Sequence, residues 1–357
     1  MPIQRAGLLS LVLALLLAYA ALREARADEW SKHQASVLVQ WSDYQQRETD
    51  RWKAVRKRVS RKWGREAELP SQKVFVDYFA QDQLRIRLDY EKGELRAESL
   101  DGSVAQDPQR IAERVKNLLA TGVLLKGELP AEPEWTAHEG RLQGQDGRER
   151  VRRTYMLRLD PRHREVRAER YWPRVEHWAR VHEVEPALVM AVIERESAFN
   201  PRARSWVPAF GLMQIVPQYA GKEVLGEIPS EALLYDPETN IRVGTAYLAR
   251  LYRNHFPDIP SREVKRYLVI CSYNWGPHRI RRAMERGRLD VALAPGRVFD
   301  ELLAIAPAET QAYLIGVRAS FERFSRWPRS GGSESAAGHS SGISQEDRGG
   351  GLVSTDP

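Results

Sequence analysis

Between residues 166 and 327 the apolar side chains recur almost everywhere at helical spacing, and Pro173, Pro186, Pro201, Pro208, Pro217, Pro237, Pro260 and Pro277 cut the run into short pieces. Proline fixes φ and has no N–H to donate, so each is expected to end one helix or open the next. A stretch punctuated this way buries its apolar surface by stacking short helices around one core. Covalent braces do not help it. The single cysteine, Cys271, can form neither an internal disulfide, a CxxC pair nor a cysteine-based zinc cage. At helical spacing it falls on an inward face with Val264 and Leu268, where it reads as a small core residue.

Upstream the pattern changes. Residues 28 to about 66 are rich in helix formers, with Trp30, Trp41, Trp52 and Trp63 eleven apart. Eleven residues at 100° each return to within about 20° of the start, so the indoles form one stripe of a long helix, for packing or for binding a glycan or partner. Val74–Tyr78 and Leu84–Tyr90 then alternate with period two, Glu91 to Glu94 makes a turn before another strand, and Arg153–Leu159 gives a last one. Arginines on the polar face predict a sheet with one side in water. A helix is expected from Asp107-Pro108 to about Leu119. The fold class is therefore an α+β accessory domain at 28–165 followed by a mainly α domain at 166–327. The Gly/Ser-rich residues 328–357 read as a disordered tail.

The first 27 residues run from Arg5 through the apolar stretch Leu8–Leu22 to Ala25-Arg26-Ala27, the pattern of a secretory signal peptide. About 15 apolar residues fall short of the roughly 20 that a spanning helix needs. Its removal takes three arginines and one glutamate and leaves a net charge of +5. No cysteine follows the apolar run, so no lipid anchor is expected, and the mature chain is placed in the periplasm or otherwise associated with the cell envelope. Export and the lack of a recognisable nucleic-acid module argue against nucleic acid as a partner. With 42% apolar and 29% charged residues, the composition excludes a multispan membrane protein.

The chemistry gathers near Glu185–Ser197, which opens with Pro186 at a first helical turn and ends before Asn200-Pro201. On a helical wheel Glu196 falls within about 60° of Val189, Val192 and Ile193, whereas Glu194 is about 160° away and is expected to face solvent. Glu196 also occupies the last turn, where the helix end is partially negative. Burial and dipole both raise a carboxyl pKa, which suits a general acid near neutral pH. Elsewhere the helices carry scaffold signals. Asp236 and Ser261 are placed to cap helices, Gly244 would let a neighbouring helix approach closely, and Gly276-Pro277 ends the second helix just after Tyr273-Asn274.

Glu196-Ser197-Ala198-Phe199-Asn200-Pro201, Ser205 and Gly211-Leu212-Met213-Gln214-Ile215-Val216-Pro217 together resemble the signature of the lytic murein transglycosylases, whose helical domain is similar to goose-type lysozyme. Three further blocks follow in the same order: Asn240-Ile241 with Gly244 and Tyr247-Leu248, then Tyr273-Asn274-Trp275-Gly276-Pro277, then Glu309-Thr310 with Tyr313. The two-domain plan is most like the membrane-bound lytic murein transglycosylase C group, which is typically lipid-anchored through a cysteine that this sequence lacks. The resemblance implies that Glu196 is catalytic, that Tyr273 lies near it and Asn274 shapes the site, that Met213 and Gln214 line glycan subsites, and that Ser205 assists near the reacting sugar. Val207 stands where some relatives carry a second serine. Glu309 and Tyr313, one turn apart, share a face with Val317, where they either close the cleft from behind or serve a structural role.

The usual glycosidase schemes need a second carboxylate, and apart from Glu309 none stands out in these blocks. The resemblance implies a single-acid route on peptidoglycan glycan strands, in which Glu196 acts as acid and then as base and the product is a 1,6-anhydromuramoyl end. No metal or organic cofactor is implied. Cell-envelope proteins are further candidate partners. The alternatives are a goose-type-like hydrolase and a non-catalytic glycan-binding or scaffold protein.

Overall fold

The computed structural model describes residues 39, 42–101, 107–206 and 208–327. The expected signal at 1–27, Trp30, Trp41, Val207 and the expected tail at 328–357 lie outside the described residues. Helix α1 (42–63) runs into a 3-10 turn at Gly64–Glu66. Strands β1 (Val74–Phe79), β2 (Leu84–Asp89), β3 (Glu94–Leu100), β4 (Trp135–Gln143) and β5 (Glu149–Arg158) form one antiparallel sheet in the order β1-β2-β3-β5-β4. Helix α2 (Asp107–Ala120) lies between β3 and β4 in the chain.

The register sets Ile86 opposite Ala97, Leu88 opposite Leu95 and Leu95 opposite Leu157. These apolar side chains therefore share a face, and Ile111 and Leu118 of α2 complete the core they make. The other face departs from expectation. Arg85 is 4% exposed, donates to Glu98 Oε2 at 2.6 Å and lies 4.3 Å from the ring centroid of Trp63. The end of α1 covers this side of the sheet, with Val59, Trp63, Leu100 and Leu142 in one cluster. At Trp63 the tryptophan stripe is thus a packing feature, and its Nε1 donates to Asp82 O at 2.7 Å. Sequence reading missed β4 because all but two of its residues are exposed, which leaves no apolar alternation to see.

Among the described residues nine α-helices follow: α3 (His163–His182), α4 (Pro186–Ser197), α5 (Lys222–Leu225), α6 (Glu231–Leu234), α7 (Pro237–Arg250), α8 (Arg262–Trp275), α9 (Pro277–Glu285), α10 (Pro295–Ile305) and α11 (Ala308–Ser325). Pro186, Pro237 and Pro277 open helices as expected. Pro173 does not break α3. One intrahelical bond is lost there, but the flanking Trp172 and Val175 are buried, and packing outweighs the local cost. Asp236 accepts from Thr239 N at 2.8 Å and Ser261 from Val264 N at 3.3 Å, capping α7 and α8. Cys271 is buried in α8, and burial pushes its thiol up to about 12. None of the described helices is long and apolar enough to cross a membrane.

Helix α4 lies against α3 and α11, and every residue from Ala187 to Ile193 is buried. A fully buried ion pair ties this helical part to the sheet. Arg167 of α3 pairs with Glu128, both 0% exposed. Its guanidinium sits 4.3 Å from the Tyr90 ring centroid and donates to Val123 O at 2.7 Å. A longer contact, at 3.4 Å, reaches Phe199 O just beyond α4.

Candidate active site

Helix α4 ends at Ser197 because Ala198 (φ 49°) and Phe199 (φ 63°) turn into the left-handed region. Ala198 N returns to Glu194 O at 2.9 Å and satisfies one of the terminal carbonyls. Ala198 is 3% exposed and belongs to the apolar cluster of the sheet, so burial holds a conformation that non-glycine residues adopt at a cost. The last turn of α4 therefore lies where the helical part meets the sheet.

Glu196 is half-buried on that turn. Tyr313 of α11 donates its hydroxyl to Glu196 Oε1 at 2.8 Å. Desolvation pushes the Glu196 carboxyl up to about 7, opposed by the Tyr313 bond and the Arg195 charge, aided by Glu309 and opposed again by Lys73. A phenol carries no charge, so its hydrogen bond stabilises the anion less than a cation would, and burial prevails. Burial and the Glu196 charge also raise the Tyr273 and Tyr313 phenols well above their ordinary value, which keeps both protonated as donors. Glu194 does not face solvent as expected. Its Oε2 accepts from Ser320 Oγ at 2.6 Å and pairs with Arg323, both on α11.

The structure gathers Glu196, Tyr313, Tyr273, Glu309 and the Met213 carbonyl. Tyr273 donates to Met213 O at 2.8 Å, and its ring stands edge-on to Tyr247 at 5.7 Å. Asn274 accepts from Thr310 Oγ1 at 2.7 Å, which couples the end of α8 to the start of α11. Glu309 is exposed on the same turn of α11 as Thr310. Sequence reasoning gave Thr310 no role. Lys73, a positive charge felt by Glu196 from just before β1, carried no motif that could have found it.

Met213 and Gln214 are placed differently from expectation. Met213 is 0% exposed, and a Cβ built at Gly244 would lie 2.3 Å from its sulfur. Gly244 therefore admits the Met213 side chain rather than a neighbouring helix, and Met213 offers the site its carbonyl instead of its thioether. Gln214 (φ 48°) is 7% exposed. Its Nε2 donates back to Gly211 O at 3.0 Å and closes the turn, while its buried Oε1 has no hydrogen-bond partner among the described residues. The loop is fixed by Asn240 of α7. Asn240 is 0% exposed, accepts from Met213 N at 2.8 Å, and donates to Phe210 O at 2.8 Å and Leu234 O at 2.7 Å.

Ser205 accepts from Ala209 N at 3.2 Å. It lines a cavity of about 230 Å³ with Trp52, Ser71, Gln72, Arg204 and the exposed Trp206. Gln72 O in that wall accepts from Asn200 Nδ2 at 3.1 Å, so the chain leading into β1 borders the segment that follows Glu196. Among the described residues no cluster of His, Cys, Asp or Glu could hold a metal ion.

Residues 174–288 match the family described as transglycosylase SLT domain. These residues, about a third of the chain, are similar to that domain family. It is 29% identical over 306 residues to membrane-bound lytic murein transglycosylase C of Klebsiella pneumoniae, covering 73% of this chain and 84% of that one. To the protein of that name from Yersinia pestis it is 36% identical over 183 residues, 48% of this chain and 51% of the relative. Among solved structures, the 70 kDa soluble lytic transglycosylase of Escherichia coli is similar at 31% identity and a TM-score of 0.36, covering 43% of this chain and 24% of that one. The matched SLT segment contains Glu196, Met213, Asn240 and Tyr273 and stops before α10 and α11.

The packing of Gly244 gives a first expected result. Gly244→Ala forces its new methyl onto a thioether with no free space, and overpacking of this kind costs about 1–3 kcal/mol. A urea melt measures it, and adding Met213→Ala should restore part of the loss. Equal stability of Gly244→Ala and the parent would contradict the close approach.

Proposed function

We propose that the protein is a lytic transglycosylase that cleaves the β-1,4 bond between N-acetylmuramic acid and N-acetylglucosamine in peptidoglycan. Residues 166–327 are the lysozyme-like catalytic domain and 28–165 the accessory domain, in an exported chain. Glu196 gives its proton to the bridging oxygen as the bond from muramic C1 breaks. The carboxylate left behind takes the proton of the same sugar's C6 hydroxyl, which attacks C1 and closes the 1,6-anhydro ring. No water is consumed, and Glu196 ends protonated as it began. One residue serving as acid and then base needs a pKa near the working pH. An internal hydroxyl avoids the entropy of capturing a separate nucleophile.

The observation that carries this reading is a carboxyl pushed up to about 7 at a helix end and held by a neutral phenol. Tyr313 is its positioning residue, Tyr273 an adjacent donor, and Asn274 with Glu309 the rim. Ser205 marks the sugar-binding side, and the Met213–Gln214 turn sets the shape of the wall between them.

Digestion of purified sacculi, followed by mass spectrometry of the released muropeptides, tests the proposal. Anhydro-ended products are expected. Reducing ends that carry labelled oxygen from heavy water would instead identify a hydrolase, and no soluble product would identify a binder. Tyr313→Phe removes a donor that favours the ionised carboxylate, so the high-pH limb of the rate profile should move upward. Turnover should fall about tenfold, because the anion formed on proton transfer loses one hydrogen bond. An unmoved limb would separate Tyr313 from the titration of Glu196.

A further inference from the structure

Helix α9 begins immediately beyond Tyr273-Asn274 and is strongly basic. Arg279, Arg282 and Arg286 lie three and four residues apart on one exposed face, and Arg288 follows. With Trp275 and Ile305 they line a concavity of about 170 Å³. Arg279 donates to Trp275 O at 2.7 Å, which fixes one guanidinium at its edge. Among the described residues, Arg282, Arg286 and Arg288 have no carboxylate within ion-pair distance. Surface arginines elsewhere are commonly paired, as Arg162 is with Glu165, Arg253 with Glu183 and Arg318 with Glu322. Leaving three guanidiniums together costs mutual repulsion unless an anion relieves it.

The position of the cluster narrows the anion. Trp275 is the residue after Asn274, and Ile305 lies five residues before Thr310, to which Asn274 is bonded. The basic concavity therefore adjoins the rim of the cleft. We infer that it binds the free carboxylates of the peptide stem on the sugar being cleaved, so that peptide-bearing strands are preferred to bare glycan. This rests on the transglycosylase reading. Guanidinium forks match planar carboxylates, and a space of this size admits a carboxylate with a few neighbouring atoms. A membrane surface fits less well. In α9 Ile280 and Ala283 are buried against the fold and Met284 is half-buried, which leaves no exposed apolar wedge to enter lipid.

The test compares the parent with Arg282→Gln/Arg286→Gln/Arg288→Gln, all at exposed positions. Cleavage is measured on intact sacculi and on glycan strands freed of peptide by an amidase. Calorimetric titration with a free stem tripeptide is run on both proteins, together with sedimentation on phosphatidylglycerol vesicles. The sacculus-to-bare-glycan rate ratio is expected to fall about tenfold in the variant, with matching loss of tripeptide affinity, as charge-assisted hydrogen bonds are removed. A charge-reversed Arg282→Glu/Arg286→Glu variant should lose more. An unchanged ratio with unchanged tripeptide affinity overturns the inference, as does a variant in which only vesicle binding changes. If the parent cleaves neither substrate, the transglycosylase reading fails while the tripeptide titration still decides the anion site.

Discussion

Glu196→Gln is expected to lower turnover on sacculi by on the order of 10³-fold or more, since a glutamine can neither give nor recover the proton and general acid–base catalysis contributes about 10²–10⁴. The same change should stabilise the fold at alkaline pH. The carboxyl of Glu196 ionises near 7 in the folded chain against 4.5 for an ordinary glutamate. The folded state thus holds a proton that the unfolded state has released, and stability falls as pH rises from about 4.5 to about 7. The glutamine variant escapes this loss, a difference of up to about 3 kcal/mol at pH 8 that shrinks below pH 5. Urea unfolding of both proteins at pH 5 and pH 8, beside their rates, makes the comparison. Full activity of Glu196→Gln would reject the catalytic assignment, and equal stabilities at pH 8 would reject the buried-acid account.

The second large effect belongs to Arg167. Arg167→Met leaves the fully buried Glu128 without its cation, and breaking one side of a buried pair costs about 3–5 kcal/mol. Adding Glu128→Gln neutralises the stranded group while keeping an acceptor for Leu125 N, which donates to Glu128 Oε2 at 2.7 Å. The double variant should recover much of the loss. A loss under about 1 kcal/mol for Arg167→Met alone would mean that the pair contributes little. Because Arg167 also reaches Phe199 O, the single variant is expected to lose activity at temperatures where it remains folded.

These two residues mark what the sequence disclosed and what it hid. A helical wheel separates Glu196 from Glu194 by putting one on an apolar face and the other in solvent, and the motif that follows supplies the catalytic reading. In the structure α4 is buried on all sides from 187 to 193, and both carboxylates meet α11. They differ in partner, since Glu194 receives Arg323 and Glu196 receives a phenol. That difference arises more than a hundred residues downstream, where no local period can register it. Arg85, Arg167 and Glu128 were illegible for a related reason, because burial of a charge depends on a partner distant in sequence. Met213 and Gln214 were found as a motif, yet which of their atoms faces the cleft depends on Gly244 and on a positive φ. Strands β1 and β2 and the caps at Asp236 and Ser261 were readable because their signals are confined to a few neighbouring residues.

The hydroxyl that grips Glu196 comes from α11, twenty-five positions past the end of the segment that defines the SLT match. A recombinant fragment excised at 174–288 would keep every signature residue up to Tyr273 and still strip Glu196 of its phenol and Glu194 of Ser320 and Arg323. On the proposed role of Glu196, the smallest portable unit therefore extends through α11, and domain swaps built on this chain need their splice point beyond Ser325.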